Sequence, residues 1–165
     1  MKGVWDIMEA EIRRATLRDL PEVQRLDQML FRKEASDYDS ELNCEWPLQK
    51  GGEKYLRGMI SKKDKCALVA VSGGRVVGYL TGSMVRKKLQ DCYLVKMAEI
   101  IEMFVLKEFR GQDIGKKLVE EFRSWCRERG VGRILICAFS GNEKGIRFYK
   151  RNGFRDYSVY LIRDI

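Results

Sequence analysis

A chain of 165 residues, 45% hydrophobic and 34% charged, has the size and balance of one globular domain with a substantial core. The absence of histidine excludes Ser-His-Asp and Cys-His catalysis and His-ligated metals, and the five cysteines form no CxxC pair, so no metal site is expected. The net charge of +8 suits a polyanionic partner (nucleic acid, acidic lipid or a phosphate-bearing cofactor) and equally a solvated basic surface.

Residues 1–9 carry charges and Trp5 where a signal peptide would have an apolar core, so a cytoplasmic location is expected, with 1–8 read as a flexible extension. Residues 11–15 read as a first strand. A helix follows, its start marked by Thr16, Asp19 and Pro21, with Val23, Leu26, Leu30 and Phe31 at helical spacing. Residues 36–52 are polar and broken by Pro47 and Gly51-Gly52, which predicts a loop, with a helix over 53–60. Two β-rich runs, 66–72 and 75–85, flank Gly73-Gly74 and predict a hairpin. A basic connection (Arg86, Lys87, Lys88) leads to a strand over 95–106 and a helix over 112–129 that stops at Gly130. A strand over 133–139, a helix over 142–151 and a last strand over 155–162 complete a mixed α/β order around a single sheet. The longest apolar runs, 66–71 and 134–139, are far shorter than the ~20 residues of a membrane-spanning helix, so no membrane association is expected.

The most informative stretch is 100–116, where a strand runs into a turn that opens an amphipathic helix. Unpaired N–H groups and the helix dipole suit a pyrophosphate there, Gly111 and Gly115 permit close approach, and Arg110, Lys116 and Lys117 add positive charge.

Val105-Leu-Lys-Glu-Phe-Arg-Gly-Gln-Asp-Ile-Gly resembles motif A of the GNAT (GCN5-related N-acetyltransferase) family, in which a strand carries the catalytic carboxylate and an R/Q-x-x-G-x-G/A turn holds the coenzyme A pyrophosphate. Asn142-Glu-Lys-Gly-Ile-Arg-Phe-Tyr149-Lys-Arg-Asn-Gly-Phe154 is similar to motif B, N-x-x-A-x-x-F-Y-x-x-x-G-F, with Gly145 in place of the common alanine. Ile12-Arg-Arg-Ala-Thr-Leu-Arg-Asp-Leu resembles the family's opening strand and first helix, and Gly73-Gly-Arg-Val-Val-Gly-Tyr its central hairpin, so the agreement covers nearly the whole chain. Two motifs in order are more specific than either alone.

The resemblance implies a single N-acetyltransferase domain over 1–165, with a twisted, mostly antiparallel mixed sheet of six to seven strands flanked by about four helices. It implies transfer of an acetyl group from acetyl-CoA to an amine, without a metal. Met103, Phe104 and Val105 would offer backbone groups to the pantetheine arm, and Arg110, Gly111, Gln112, Asp113, Ile114, Gly115 and Lys116 would wrap the pyrophosphate. Asp113 departs from the pattern, placing a carboxylate where the family has its middle glycine.

Without histidine, the amine's proton must pass to another base. Glu99 and Glu102 lie among apolar neighbours, where burial raises a carboxyl pKa; three positions apart, they face opposite sides of a regular strand unless a bulge intervenes. Glu99 aligns with the base of the histone-acetylating members, and Glu102, nearer the expected thioester, is preferred. The resemblance implies that Tyr149 protonates the departing sulfur, so that its deprotonation would shape the alkaline limb of the rate profile. It also implies that Asn142 helps hold the pantetheine arm and that the Val105 N–H polarises the carbonyl.

Residues 36–52 and 86–93 are expected to line the acceptor site, where Asp37, Asp39, Glu41 and Glu45 would attract a cationic small molecule, a polyamine, a lysine or a protein N-terminus. Family habit implies a homodimer. Two other functions compete: a catalytically silent acyl-CoA-binding module, favoured by Asp113, and a basic nucleic-acid-binding protein, favoured by the charge but lacking any recognition motif.

Overall fold

The computed structural model describes residues 9–86 and 91–165; the extension at 1–8 and the basic residues Lys87 and Lys88 lie outside them. Gly73 and Gly74 adopt φ of +56° and +76°, the left-handed pair that a two-residue hairpin turn requires. They join β2 (Lys65–Ser72) to β3 (Arg75–Met84). β1 (Glu11–Arg14) pairs with β2, and β3 with β4 (Met97–Val105), all antiparallel. β5 (Arg133–Ile136) joins β4 in parallel after a helical crossover, so the sheet order follows the chain.

Among the described residues, four α-helices flank the sheet: α1 (Leu20–Asp37), α2 (Lys50–Ser61), α3 (Ile114–Arg127) and α4 (Glu143–Arg151). α1 starts where Asp19 accepts both guanidinium nitrogens of Arg13 at 2.8 Å and the Thr16 N–H at 2.7 Å. Alternation along β3 assigns the layers. Tyr79 and Thr81 face α1, and the Tyr79 hydroxyl donates to Asp27 at 2.6 Å; Gly82 faces α3 and lies under Phe122. Leu26, Leu56, Leu68, Leu80, Leu118 and Phe122 form the centre of the core, with Cys66 and Cys126 among its packing residues. Among the described residues, no helix is long and apolar enough to cross a membrane.

The structure departs from the sequence reading in three places. α2 begins at Lys50, so Gly51 and Gly52 are helical: a Cβ on Gly52 would stand 2.1 Å from the Trp46 carbonyl oxygen, and close packing on the 3-10 turn Trp46–Leu48 explains the glycine better than chain breaking. β5 ends at Ile136 instead of 139, because β4 stops pairing with it beyond Ile100. The predicted last strand over 155–162 is absent: among the described residues this segment pairs with no strand and is exposed, leaving five strands there instead of six to seven.

Gly82 is the tightest contact between the layers. A Cβ there would lie 2.3 Å from Phe122 Cε2 and 2.7 Å from the Glu99 carbonyl oxygen, and the backbone atom cannot yield. Gly82→Ala should therefore cost about 1–3 kcal/mol, read as a lowered urea midpoint. An unchanged midpoint would show that α3 does not pack this closely on the sheet.

Candidate active site

β4 is paired along its length with β3, but with β5 only from Met97 to Ile100. Beyond that point the parallel strands part, and the next part of β4 has no second strand beside it among the described residues. Leu106 N–H bonds to Val77 on β3, so alternation turns the peptide groups of Met103 and Val105 toward the open side. The peptide groups of Phe104 turn to β3 instead, so the run 103–105 does not act as a unit. Arg110 folds back, its Nε donating to the Val105 carbonyl at 2.8 Å and its guanidinium lying 5.3 Å from the Phe104 ring centroid.

The pairing of β3 with β4 slips where Thr81 faces Glu102 and Gly82 faces Ile100, leaving Ile101 as an extra residue. This bulge brings Glu102 to the same face as Glu99, which lies opposite Ser83, whereas a regular strand would oppose them. Glu102 is half-buried and accepts the Thr81 hydroxyl at 2.6 Å. Burial pushes its carboxyl up to about 8, the charges of Asp27 and Glu34 add to the rise, and the Thr81 bond opposes it.

Asp27 is fully buried, and its Oδ2 has no hydrogen bond among the described residues. Burial pushes it up to about 6 despite the Tyr79 bond, with Glu34 adding to the rise. Glu34 is also raised by burial. Sequence reasoning passed over Asp27 and Glu34, yet they lie seven residues apart on the apolar stripe of α1, where a carboxylate is conspicuous. Tyr55 on α2 feels Glu102, Asp27 and Glu99, and its phenol is held protonated chiefly by burial. Of the acidic residues predicted to attract the acceptor, Glu45 pairs with Arg32 and Gln28, Asp37 with Lys33, and Asp39 accepts the Glu41 N–H.

Tyr149 on α4 is half-buried between Phe148 and Phe154, whose ring centroids lie 5.2 and 5.5 Å away. Burial, with the charge of Glu34 second, pushes its phenol far above the usual range. Asn142 caps α4, its Oδ1 accepting the Gly145 N–H at 3.0 Å. The alanine common at 145 in the resembling family would put a Cβ 2.6 Å from Asn142 Nδ2, so the glycine goes with this cap.

At the start of α3, Gly111 has φ +78° and Asp113 has φ +59°. Lys117 N–H closes the first helical bond onto the Asp113 carbonyl, leaving the N–H groups of Ile114, Gly115 and Lys116 at the helix end. Ile114 buries its side chain in the core, Lys116 is exposed, and Lys117 is paired with Glu9. Two features of this structure fit a coenzyme with an extended arm and a pyrophosphate: the open edge at Met103 and Val105, and the unpaired N–H groups at this turn. Among the described residues, no group of three or more Cys, Asp or Glu could hold a metal ion.

The profile of the Acetyltransferase (GNAT) family matches residues 20–154. The chain belongs to the GNAT family. An uncharacterized N-acetyltransferase of Archaeoglobus fulgidus is 29% identical over 88% of this chain and 92% of its own. The spermidine N(1)-acetyltransferase of Thermoplasma acidophilum is 24% identical over 90% of this chain and 89% of its own. The fold matches that of the Thermoplasma acidophilum PaiA N-acetyltransferase, solved with coenzyme A, at a TM-score of 0.78 and 21% identity, covering 93% of this chain and 94% of that one. The segment that resembles motif A forms the turn into α3 and the start of that helix, and the segment that resembles motif B forms α4.

Asp113 holds the left-handed conformation that its family's glycine adopts freely. Its side chain caps nothing, so what it supplies is a charge near the helix dipole. Asp113→Gly should therefore exceed Asp113→Ala in stability by about 1 kcal/mol, measured by urea unfolding. Equal midpoints would show that residue 113 is not held at positive φ.

Proposed function

We propose that the chain transfers an acetyl group from acetyl-CoA to a primary amine by direct attack in a ternary complex, with Glu102 as general base. The observation that carries this reading is Glu102 itself: a bulge aims it at the α1 side, beside the open edge of β4, and its carboxyl is pushed up to about 8. Such a base is partly ionised near neutrality and still strong enough to take a proton from an amine.

The coenzyme would supply a thioester carbonyl. The peptide groups of Met103 and Val105 hold and orient its arm, and the Val105 N–H donates to the carbonyl oxygen where negative charge develops. The N–H groups of Ile114, Gly115 and Lys116 take the pyrophosphate. Glu102 receives the amine's proton at a carboxylate oxygen, and the Tyr149 hydroxyl, engaged by no described residue, donates its proton to the departing sulfur. Asp27, Glu34 and Glu102 would give the α1 side of β4 an acidic character that favours a small acceptor with more than one cationic centre, such as a polyamine or an amino sugar. The spermidine-acetylating relative supports that class.

Thiol release from acetyl-CoA with spermidine as acceptor tests this reading. The wild-type kcat/KM should rise with pH through an acid limb near 8, and Glu102→Gln should lose ~100-fold or more in turnover together with that limb, while coenzyme affinity by calorimetry stays unchanged. Full activity in Glu102→Gln with an inactive Glu99→Gln would transfer the role to Glu99.

Tyr149→Phe should lower turnover ~10 to 1000-fold. Burial holds this phenol protonated through the assayable range, so the alkaline limb expected from the sequence should not arise from it, and the variant should keep the shape of the wild-type profile. An alkaline limb that vanishes in Tyr149→Phe would mean that the phenol titrates in the open.

A further inference from the structure

Arg110 is an exposed side chain that nevertheless holds a fixed place on the sheet. The 3-10 turn Lys107–Phe109 brings the chain back beside the strand it has left, with the Phe109 N–H on the Leu106 carbonyl at 2.9 Å and the Arg110 N–H on the Lys107 carbonyl at 3.3 Å. From there the Arg110 side chain reaches across the open edge of β4. Its Nε donates to the Val105 carbonyl at 2.8 Å, and the guanidinium lies on the ring of the buried Phe104. Among the described residues its other guanidinium N–H groups meet no acceptor, and it forms no ion pair.

The Val105 carbonyl is one of the groups that alternation turns away from β3. An extended segment laid along that edge would run about 4.8 Å from β4 and bond to the same oxygen. A guanidinium nitrogen 2.8 Å from that oxygen lies within this width, so the side chain and such a segment compete for one acceptor and one space. Arg110 also stands just ahead of Gly111, whose φ of +78° turns the chain toward α3, and four residues before Ile114, where the helix-end N–H groups begin. One side chain thus adjoins both halves of the site, the edge that suits an extended arm and the turn that suits a pyrophosphate.

We infer that Arg110 is a specificity-determining residue of the coenzyme site: the pantetheine arm displaces its guanidinium from the Val105 carbonyl, and the pyrophosphate then accepts the displaced guanidinium. This rests on the proposed use of acetyl-CoA. A thioester that has the arm alone must break the Arg110 bond and receives nothing in return. One that also carries the pyrophosphate regains a charge-assisted pair, which a guanidinium can make with two N–H groups at once. The exchange therefore discriminates against truncated donors. A cation that only shields a sheet edge from other strands would show no such dependence on the pyrophosphate.

Calorimetric titration of the full chain and of Arg110→Ala with coenzyme A and with pantetheine, which has the same arm and thiol but no pyrophosphate, reads the exchange. Arg110→Ala should bind coenzyme A about 10-fold or more weakly and pantetheine about 3-fold more tightly, two changes of opposite sign at one residue. Because the side chain is exposed, the variant should keep the wild-type circular dichroism. Pantetheine bound no more tightly by the variant than by the wild type would show that the guanidinium does not stand in the arm's place. Unchanged affinity for coenzyme A would show that it does not pass to the pyrophosphate. Either result overturns the inference and leaves coenzyme binding intact, whereas a wild-type chain that binds no coenzyme A overturns the inference and the proposed function together.

Discussion

Everything distinctive about the candidate site depends on one surplus residue. Ile101 is the extra member of β4 opposite the Thr81–Gly82 step of β3, and it reverses the side on which every later residue of β4 would otherwise lie. Without it, Glu102 would point at α3, into the layer of Phe122 and Leu118, where a carboxylate has no partner. With it, Glu102 reaches the Thr81 hydroxyl and Met103 takes the α3 side, close to Gly115. The bulge also lies just beyond Ile100, the last residue of β4 that pairs with β5, so the carboxylate and the opening between the strands arise at the same point. Gly82 permits this by letting the Phe122 ring lie directly on the strand.

That arrangement carries a thermodynamic cost whose sign depends on pH. Glu102 and Asp27 hold their protons to about 8 and about 6, against ordinary values of 4.5 and 3.8. Folding therefore favours their protonated forms; this contribution is complete below the ordinary values and is lost as pH rises through the raised ones. Asp19 works in the opposite direction. Arg13 holds its carboxyl down to about 2, so its contribution is present above 3.8 and fades as the pH falls toward 2. One carboxylate thus fastens β1 to α1 as an ion, while two others titrate well above the ordinary carboxyl range where chemistry is proposed. Raised carboxyls placed where apolar residues would be cheaper are a physical reason to propose chemistry there.

Much of this was legible in the sequence because it rests on local chemistry. The Gly73-Gly74 turn, the amphipathic stripe of α3 and the glycine-bearing turn before it each have residues that demand one conformation, and the structure has each of them; α1 starts where Thr16, Asp19 and Pro21 mark it, though Asp19 caps no first-turn N–H of that helix. What was not legible depends on contacts across the fold. Gly51-Gly52 looks like a breaker until Trp46 is known to lie against Gly52, and a bulge has no signature of its own in a run such as Ala98-Glu-Ile-Ile-Glu-Met. Asp27 was hidden in plain view, a charge within an apolar stripe whose meaning appears only when Tyr79 and Glu102 are brought beside it from other strands. The segment over 155–162 failed differently. It is rich in β-branched and aromatic residues, but propensity alone does not supply the neighbouring strand that a strand needs.

The distribution of charge connects these elements. The chain carries a net charge of +8, yet Asp27, Glu34 and Glu102 gather acidic groups on the α1 side of β4, while helix N–H groups and Lys116 gather at the turn into α3. On the proposed function, a polyanionic donor and a polycationic acceptor would thus be sorted to opposite ends of one strand, β4. The acidic end would also respond to occupancy. Asp27 and Glu34 contribute to raising Glu102, so a second cationic centre seated beside them would cancel that part of the rise and release the Glu102 proton, leaving only the part due to burial. The ionised share of the base would rise when an amine of the right charge had arrived, whereas a monocation, too short to place one charge at the thioester and another at α1, would leave it as burial and its neighbours set it. Charge spacing, more than shape, would then decide which amines react.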